Sequence, residues 1–293
     1  MSRTSDLFIT AMAPAIWGST YVVTTELLPA DYPITASALR ALPAGLLLLL
    51  IVRQLPKGEW WWRSALLGAF NFTIFQTMLF ISAYRLPGGV AATVGAVQPL
   101  IVLALARFFM GNPIRPLSIV AGTAGMAGVA LLVLTPHAKL DMIGILAGLA
   151  GAVSMAFGTV LSRHWQPSVS PLTVTAWQLT GGGVLLVPIG LAFEPALPPL
   201  TMNNWFGFLW LGLVGGAFAY ILWFRGISRL EPAAVAPLGF LSPLMAVILG
   251  WVLLGQQLSV LQMTGMAVVL ASVWMSQVAQ TRKPGPALAG ARA

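Results

Sequence analysis

Long, unbroken apolar segments are the feature that most constrains the fold of this chain. Ten stretches contain hardly any charged side chain, and each is long enough to cross the hydrocarbon core of a bilayer as an α-helix. Turn-forming sequences such as Leu86-Pro87-Gly88-Gly89 and Gly111-Asn112-Pro113 separate them. The predicted spans are 7–28, 34–53, 62–84, 88–109, 117–135, 141–162, 171–193, 204–227, 232–254 and 259–280.

The composition excludes several other classes of protein. Asp, Glu, Lys and Arg make up 8% of the 293 residues, against about 25% in an ordinary soluble domain. A soluble enzyme or nucleic-acid binder could not keep its surface hydrated with so few charges. The apolar segments are continuous rather than alternating, which excludes a β-barrel. The sequence therefore predicts an all-α polytopic membrane protein with ten transmembrane helices.

The positive charges predict the orientation of these helices. With the N-terminus in the cytoplasm, the outer connections carry only Arg85 and Lys139, and Arg40 falls inside a span. Basic residues concentrate in cytoplasmic loops, so we expect both termini to lie in the cytoplasm. The cytoplasmic set is Arg3, Arg53, Lys57, Arg63, Arg107, Arg115, Arg163, Arg225, Arg229, Arg282, Lys283 and Arg292.

The second half of the chain resembles the first. Pro33-Ile34-Thr35-Ala36 matches Pro171-Leu172-Thr173-Val174, and the segment from Arg85 to Ala92 matches that from Arg229 to Ala236. Each half holds five helices, and because five is odd the second half must be inverted in the membrane. Inverted repeats are typical of secondary transporters, whose substrate site lies between the halves. The predicted domains are 1–138 and 139–280, followed by a disordered cytoplasmic tail, 281–293.

Several of these residues also carry a family likeness. Trp17-Gly18-Ser19-Thr20 in the first helix, Arg40 in the second, the helices of Pro99 and Pro243 and the two five-helix repeats together resemble the EamA family of the drug/metabolite transporter superfamily. The likeness covers the whole chain and is strongest to bacterial aromatic amino-acid exporters. The resemblance implies a DMT/EamA-like fold, a location in the bacterial inner membrane and efflux of amino acids or related metabolites. The inverted repeats themselves indicate transport by alternating access.

The chain lacks the residues that other activities need. No Gly-Lys-Ser/Thr follows a glycine loop, so ATP-driven pumping is not expected. The two histidines, His137 and His164, fall in connections on opposite sides of the membrane, where neither could activate Ser19. With no cysteine and no cluster of His, Asp and Glu, we expect no enzymatic activity, catalytic residue, metal or cofactor.

Polar and aromatic residues within the spans are the candidates for a substrate cavity. Trp17, Thr20, Tyr21 and Thr24 share one face of the first helix because of their i, i+3, i+4, i+7 spacing. A cavity wall is one explanation of such residues, and ordinary packing between helices is the other. The remaining candidates are Asn71, Gln76, Tyr84, Gln98, Trp177, Gln178, Tyr220 and Trp223.

Arg40 and two prolines complete the candidate site. Arg40 is the basic residue that lies well inside a span; it could attract a substrate carboxylate or close the outer gate, or it could instead reach the headgroups or pair with Glu26. Pro99 and Pro243 occupy matching places in the two halves, and each interrupts the hydrogen bonding of its helix. They are candidates for hinges, with a fixed bend as the alternative.

The acidic residues narrow the class of substrate. All seven carboxylates fall near helix ends or in connections, whereas exporters of lipophilic cations need one within the membrane. We therefore expect small zwitterionic or neutral substrates, hydrophobic or aromatic amino acids first. The alternatives are another metabolite, a neutral drug, or a membrane scaffold that transports nothing. The expected partners are the substrate, the lipid bilayer and, through helices five and ten, a second copy of the chain, but no nucleic acid.

Overall fold

The computed structural model describes residues 2–85, 93–133, 141–166 and 168–281, and this part of the chain is helical with no β-strand. It contains ten helices long and apolar enough to cross a membrane, which confirms the predicted fold class. Two of these helices include π-helical segments, Ala69–Ile74 and Trp210–Phe218, and a third includes a 3-10 segment, Ala236–Phe240. The helices are α1 Arg3–Leu27, α2 Pro33–Val52, α3 Trp60–Ser82 and on to Arg85, α4 Thr93–Met110, α5 Pro116–Val133, α6 Met142–His164, α7 Pro171–Phe193, α8 Met202–Arg229, α9 Pro232–Leu254 and α10 Val260–Thr281.

The helices alternate in direction, so the bundle has two ends. We call the end where α1 begins and α10 ends the terminal end, and the other the distal end. The predicted spans coincide with the ten helices, although α1 begins at Arg3 because the Ser2 side chain caps it by accepting from the Ser5 N–H. The predicted parts 88–92 and 134–135 and the tail from residue 282 lie outside the described residues.

The outer surface of the bundle is apolar along the spans. Leu50, Phe108, Leu191, Val260 and Trp274 are each at least 67% exposed. Large apolar side chains that face outward in this way match the hydrocarbon core of a bilayer, where their exposure costs nothing. The chain is therefore a multi-pass membrane protein.

The two most extensive helix pairs each join equivalent helices of the two halves, α2 with α7 and α5 with α10. Gly45 of α2 lies directly against the Thr180 backbone, and Gly183 of α7 lies so close to Leu42 that an added Cβ would stand 2.7 Å from the Leu42 Cα. Because Gly45 and Leu42 correspond to Gly183 and Thr180 in the repeat, these are the same contact made twice. Reciprocal contacts of this kind are the mark of a two-fold axis.

The irregular parts of the helices also recur from one half to the other. The π-helical segments fall in α3 and α8, and α4 and α9 are both irregular just before Pro99 and Pro243. Gly111 and Gly255 end α4 and α9 with positive φ angles of 69° and 65°, a conformation that glycine adopts without strain. The two halves therefore share the same backbone irregularities at matching places, which two unrelated groups of helices would not be expected to do.

Helices α5 and α10 form a pair at the edge of the bundle, and one residue of this pair reaches its interior. Both pack against each other at one side of the bundle, and α10 exposes Leu270 and Trp274. Val129 of α5, however, also lines the large cavity described below.

Candidate functional site

A cavity of about 510 Å³ enters the bundle from the distal end and reaches its centre. Its mouth is formed by the connection from Leu28 to Pro33, and its walls come from α1–α6, α8 and α9. It therefore lies between the two halves. Eleven of the predicted site and hinge residues line it: Trp17, Thr20, Tyr21, Thr24, Arg40, Gln76, Gln98, Pro99, Tyr220, Trp223 and Pro243.

The carbonyl oxygen of Gly215 holds Arg40 and Trp17 in place. The Arg40 guanidinium donates to it from Nη2 at 2.9 Å, and the Trp17 indole donates from Nε1 at 3.0 Å. Gly215 belongs to the π-helical segment of α8, and a π-helical turn displaces carbonyls from the regular α-helical ladder. One backbone atom thus fixes the positions of the cation and of an aromatic wall residue.

Aromatic rings form the floor of the cavity. The centroid of the Trp17 ring lies 4.8 Å from that of Tyr220 and 5.2 Å from that of Trp223, and Phe72 packs edge-on against Tyr220 at 4.7 Å. The Arg40 guanidinium carbon lies 5.6 Å from the centroid of the Tyr220 ring, which places the cation beside this cluster. The floor is therefore aromatic, with a positive charge at its edge.

Several polar atoms of the cavity residues have no hydrogen-bond partner among the described residues. They are the hydroxyl of Thr20, Nε of Arg40, Nε2 of Gln98 and the indole nitrogen of Trp223. Three of these four are nitrogen donors, and the hydroxyl can donate as well. Buried donors left unpaired cost free energy, so the cavity is suited to a ligand that brings acceptors, above all a carboxylate.

Of the alternatives for Arg40, the structure does not show the pairing with Glu26. Among the described ion pairs none includes Arg40, whose charge faces the cavity and the Gly215 carbonyl instead. Glu26 is exposed and its carboxylate accepts from the Thr25 hydroxyl. The cause is geometric: Arg40 lies two turns inside α2 and turns toward α8, away from the end of α1.

Four candidates do not line the large cavity as described. Trp177 donates from its indole to the Gln54 carbonyl at 2.7 Å near the terminal end, where Trp60 also packs against its ring. Asn71 and Gln178 are fully buried and bonded to each other, with Nδ2 of Asn71 2.8 Å from Oε1 of Gln178. The side chain of Tyr84 lies outside the described part of the structure.

The prolines end irregular segments instead of bending continuous helices. Pro99 is the second residue of the regular helix that begins at Gln98, and Pro243 follows the 3-10 segment of α9. Neither can donate to the carbonyl four residues earlier, which belongs to Gly95 and Gly239, and both glycines line the cavity. The helix breaks therefore lie at the cavity wall.

The sequence interpretation overlooked the contacts that close the terminal end. Asp6 of α1 is buried, and its carboxylate lies 2.7 Å from the Arg225 guanidinium and 3.5 Å from that of Arg229. Arg163 donates to the Ser228 carbonyl beside them. Membrane orientation alone also accounts for the two α8 arginines, but their i, i+4 spacing at the end where α1 begins is a signal that they face a common acid.

Comparison with known proteins identifies the family. The EamA-like transporter family matches this chain twice, over residues 4–134 and 142–277. The chain belongs to the EamA-like transporter family. The two matched regions each contain five of the helices described above, and the cavity lies between them.

Relatives of this EamA-like protein cover most of its length. Protein PecM of Dickeya dadantii is 43% identical over 267 residues, which are 90% of each chain. The inner membrane transporter YedA of Escherichia coli K12 is 31% identical over 268 residues, covering 88% of this chain and 86% of YedA. A solved crystal structure superposes with a TM-score of 0.81 at 20% identity and covers 94% of this chain and 98% of its own, which supports the fold. This chain is a membrane transporter.

Proposed function

We propose that this transporter exports amino acids, hydrophobic and aromatic ones first, together with related small metabolites, by alternating access. The observation that carries the proposal is the combination of an aromatic floor, a fixed cation and unpaired donors in one cavity. An aromatic amino acid has a part for each: a ring for the floor and a carboxylate for Arg40 and the donors. Outward direction rests on the family likeness.

The α-ammonium group of such a substrate needs acceptors. Among the described residues that line the cavity, Asp31 supplies a carboxylate, and it lies at the mouth. The helix breaks at Gly95 and Gly239, which line the cavity, place irregular backbone there instead, in the manner in which discontinuous helices of secondary transporters bind charged groups. This arrangement favours a zwitterion over a bare lipophilic cation, because the Arg40 charge would repel the latter.

We further propose that 1–138 and 139–280 act as two inverted bodies around the cavity, with Pro99 and Pro243 as hinges. The two family matches and the reciprocal α2–α7 contact support this division. We propose the bacterial inner membrane as the location, with cytoplasmic termini. The distribution of Lys and Arg and the similarity to YedA, an inner membrane transporter, support it, and the distal end would then face outward.

The test is flux into proteoliposomes with labelled tryptophan, phenylalanine and leucine, compared with tryptophanamide, which lacks the carboxylate. In Arg40→Gln the KM for tryptophan should rise about 10- to 100-fold, since hydrogen bonds to charged groups contribute about 1.5–3 kcal/mol. The KM for the amide should not rise, because this substrate has no carboxylate for Arg40 and its ammonium group is no longer repelled. Arg53→Gln, at the terminal end of the same helix, is the control. Equal changes for acid and amide would refute the role of Arg40, and no flux of any amino acid by the wild type would refute the proposed substrates in favour of another metabolite or a neutral drug.

A further inference from the structure

A second, smaller cavity of about 220 Å³ lies at the terminal end of the bundle. Ser162 of α6, Val174 and Gln178 of α7 and Phe224 and Ser228 of α8 line it. Tyr220 and Trp223, one turn earlier on α8, line the large cavity, so the aromatic floor stands between the two spaces.

Gln178 is the polar group at the inner end of this small cavity. It is fully buried, and its carbonyl oxygen accepts from the Asn71 amide at 2.8 Å and from the Ser162 hydroxyl at 3.3 Å. Both bonds fix the orientation of the side-chain amide. They leave its Nε2 group as a buried donor with no partner among the described residues.

The position of Gln178 in the repeat explains why such a donor stands there. The match of Pro33 with Pro171 places Gln178 of α7 opposite Arg40 of α2. Arg40 lines the cavity that opens at the distal end, and Gln178 lines the one at the terminal end. An inverted repeat requires this relation: the same helix position serves one side of the membrane in one half and the other side in the second half.

We propose that the small cavity is a second substrate site, occupied when the transporter opens toward the terminal end, and that Gln178 donates there from Nε2 to a carboxylate or carbonyl oxygen of the substrate. This inference rests on the proposed transport of amino acids. The ligand class is a small zwitterionic or neutral solute with an acceptor oxygen. Because the donor at this site is a neutral amide and the one at the distal site is a guanidinium, the two sites recognise the same substrate with different strength.

The experiment measures KM for tryptophan from each side of proteoliposomes in which the protein has one orientation. Gln178→Met keeps the length of the side chain and removes the donor, so KM from the terminal side should rise about tenfold, the value of one neutral hydrogen bond. KM from the distal side should stay the same, and Arg40→Gln should change the ratio of the two KM values in the opposite direction. The ratio of Vmax to KM must remain equal in the two directions, as thermodynamics requires of transport down a gradient.

Thr180→Val is the matched control. Thr180 lies half a turn further along α7 and lines neither cavity, and valine has the same shape as threonine. Should Gln178→Met fail to reach the membrane, Gln178→Asn retains an amide and withdraws it from the cavity, with the same expected change. Wild-type flux with an unchanged KM ratio in the Gln178 variants would overturn the second site alone. Absence of wild-type flux would overturn the proposed function from which it starts.

Discussion

Removal of the Asp6 charge should open the terminal end of the transporter. Asp6 joins α1 to α8 through Arg225 and Arg229, and opening at this end requires these helices to separate. In Asp6→Asn the closed form loses both ion pairs, whereas the open form, with its arginines hydrated, loses little. The substitution should therefore shift the population toward the form that is open at the terminal end.

The size of the shift follows from the burial of the three side chains. Loss of one partner from a buried ion pair costs about 3–5 kcal/mol, and an exposed pair contributes about 1 kcal/mol or less. The exposed fractions are 11% for Asp6, 19% for Arg225 and 46% for Arg229, so only the first pair approaches the buried case. We expect a loss of about 2 kcal/mol, which changes the ratio of the two conformations about 30-fold.

The chain has no cysteine, so a single introduced thiol reports accessibility without background. Val174→Cys places it in the small terminal cavity, where Val174 is buried. A membrane-impermeant maleimide applied at the terminal side should react at least about tenfold faster in Asp6→Asn than in the parent. Glu59→Gln, which breaks the exposed Glu59–Arg63 ion pair at the same end, should leave the rate unchanged. Equal rates in Asp6→Asn and the parent, at equal expression, would refute the closing role of Asp6.

Three further predictions concern the cavity, the coupling and the packing. Trp17→Ala should lower tryptophan uptake at least about tenfold, because it removes the ring that packs on Tyr220 and Trp223. The control Trp61→Ala, at an exposed site of α3, should change uptake less than about twofold. Equal losses at equal expression would contradict the role of Trp17 in the cavity. Uptake should proceed equally with matched and unmatched internal pH, in wild type and in Glu26→Gln, and a strict need for a pH gradient that Glu26→Gln abolishes would show that this carboxylate takes part in transport. Gly265→Leu should destabilise the protein in detergent by about 1–3 kcal/mol, since a Cβ there would stand 2.8 Å from the Gly128 carbonyl. The control Ala271→Leu, on the exposed face of α10, should leave the stability unchanged. Thermal unfolding of the two variants measures the difference.

Properties that follow from hydropathy and helical spacing could be predicted from the sequence. The ten helices and the common face of Trp17, Thr20, Tyr21 and Thr24 depend only on apolar length and on the i, i+3, i+4, i+7 period. All four of these residues line the large cavity. A periodic pattern of this kind is a property of one helix and does not depend on how the helices are arranged.

Contacts between distant helices, in contrast, could not be read from the sequence. The acceptor that fixes Arg40 and Trp17 is a backbone carbonyl, at Gly215, and a main-chain atom leaves no residue type to recognise. Asn71 and Gln178 have the same polarity as the cavity residues but bond to each other, because the side of the floor on which a polar group falls depends on helix rotation. Asp6 looked like an ordinary acid in the first turn of a helix, which is favourable there for its own reasons.

The reciprocal contact between α2 and α7 also bears on how such a chain could arise. Gly45 against Thr180 and Gly183 against Leu42 form an isologous interface within one polypeptide. Two separate five-helix chains, inserted into one membrane in opposite orientations, would make the same contact with a single gene: α2 against the α2 of the other copy, and likewise α5 against α5. Fusion of the two copies frees each half to diverge, and the exchange of a guanidinium at Arg40 for an amide at Gln178 is a difference that a homodimer, with one sequence for both subunits, could never have acquired.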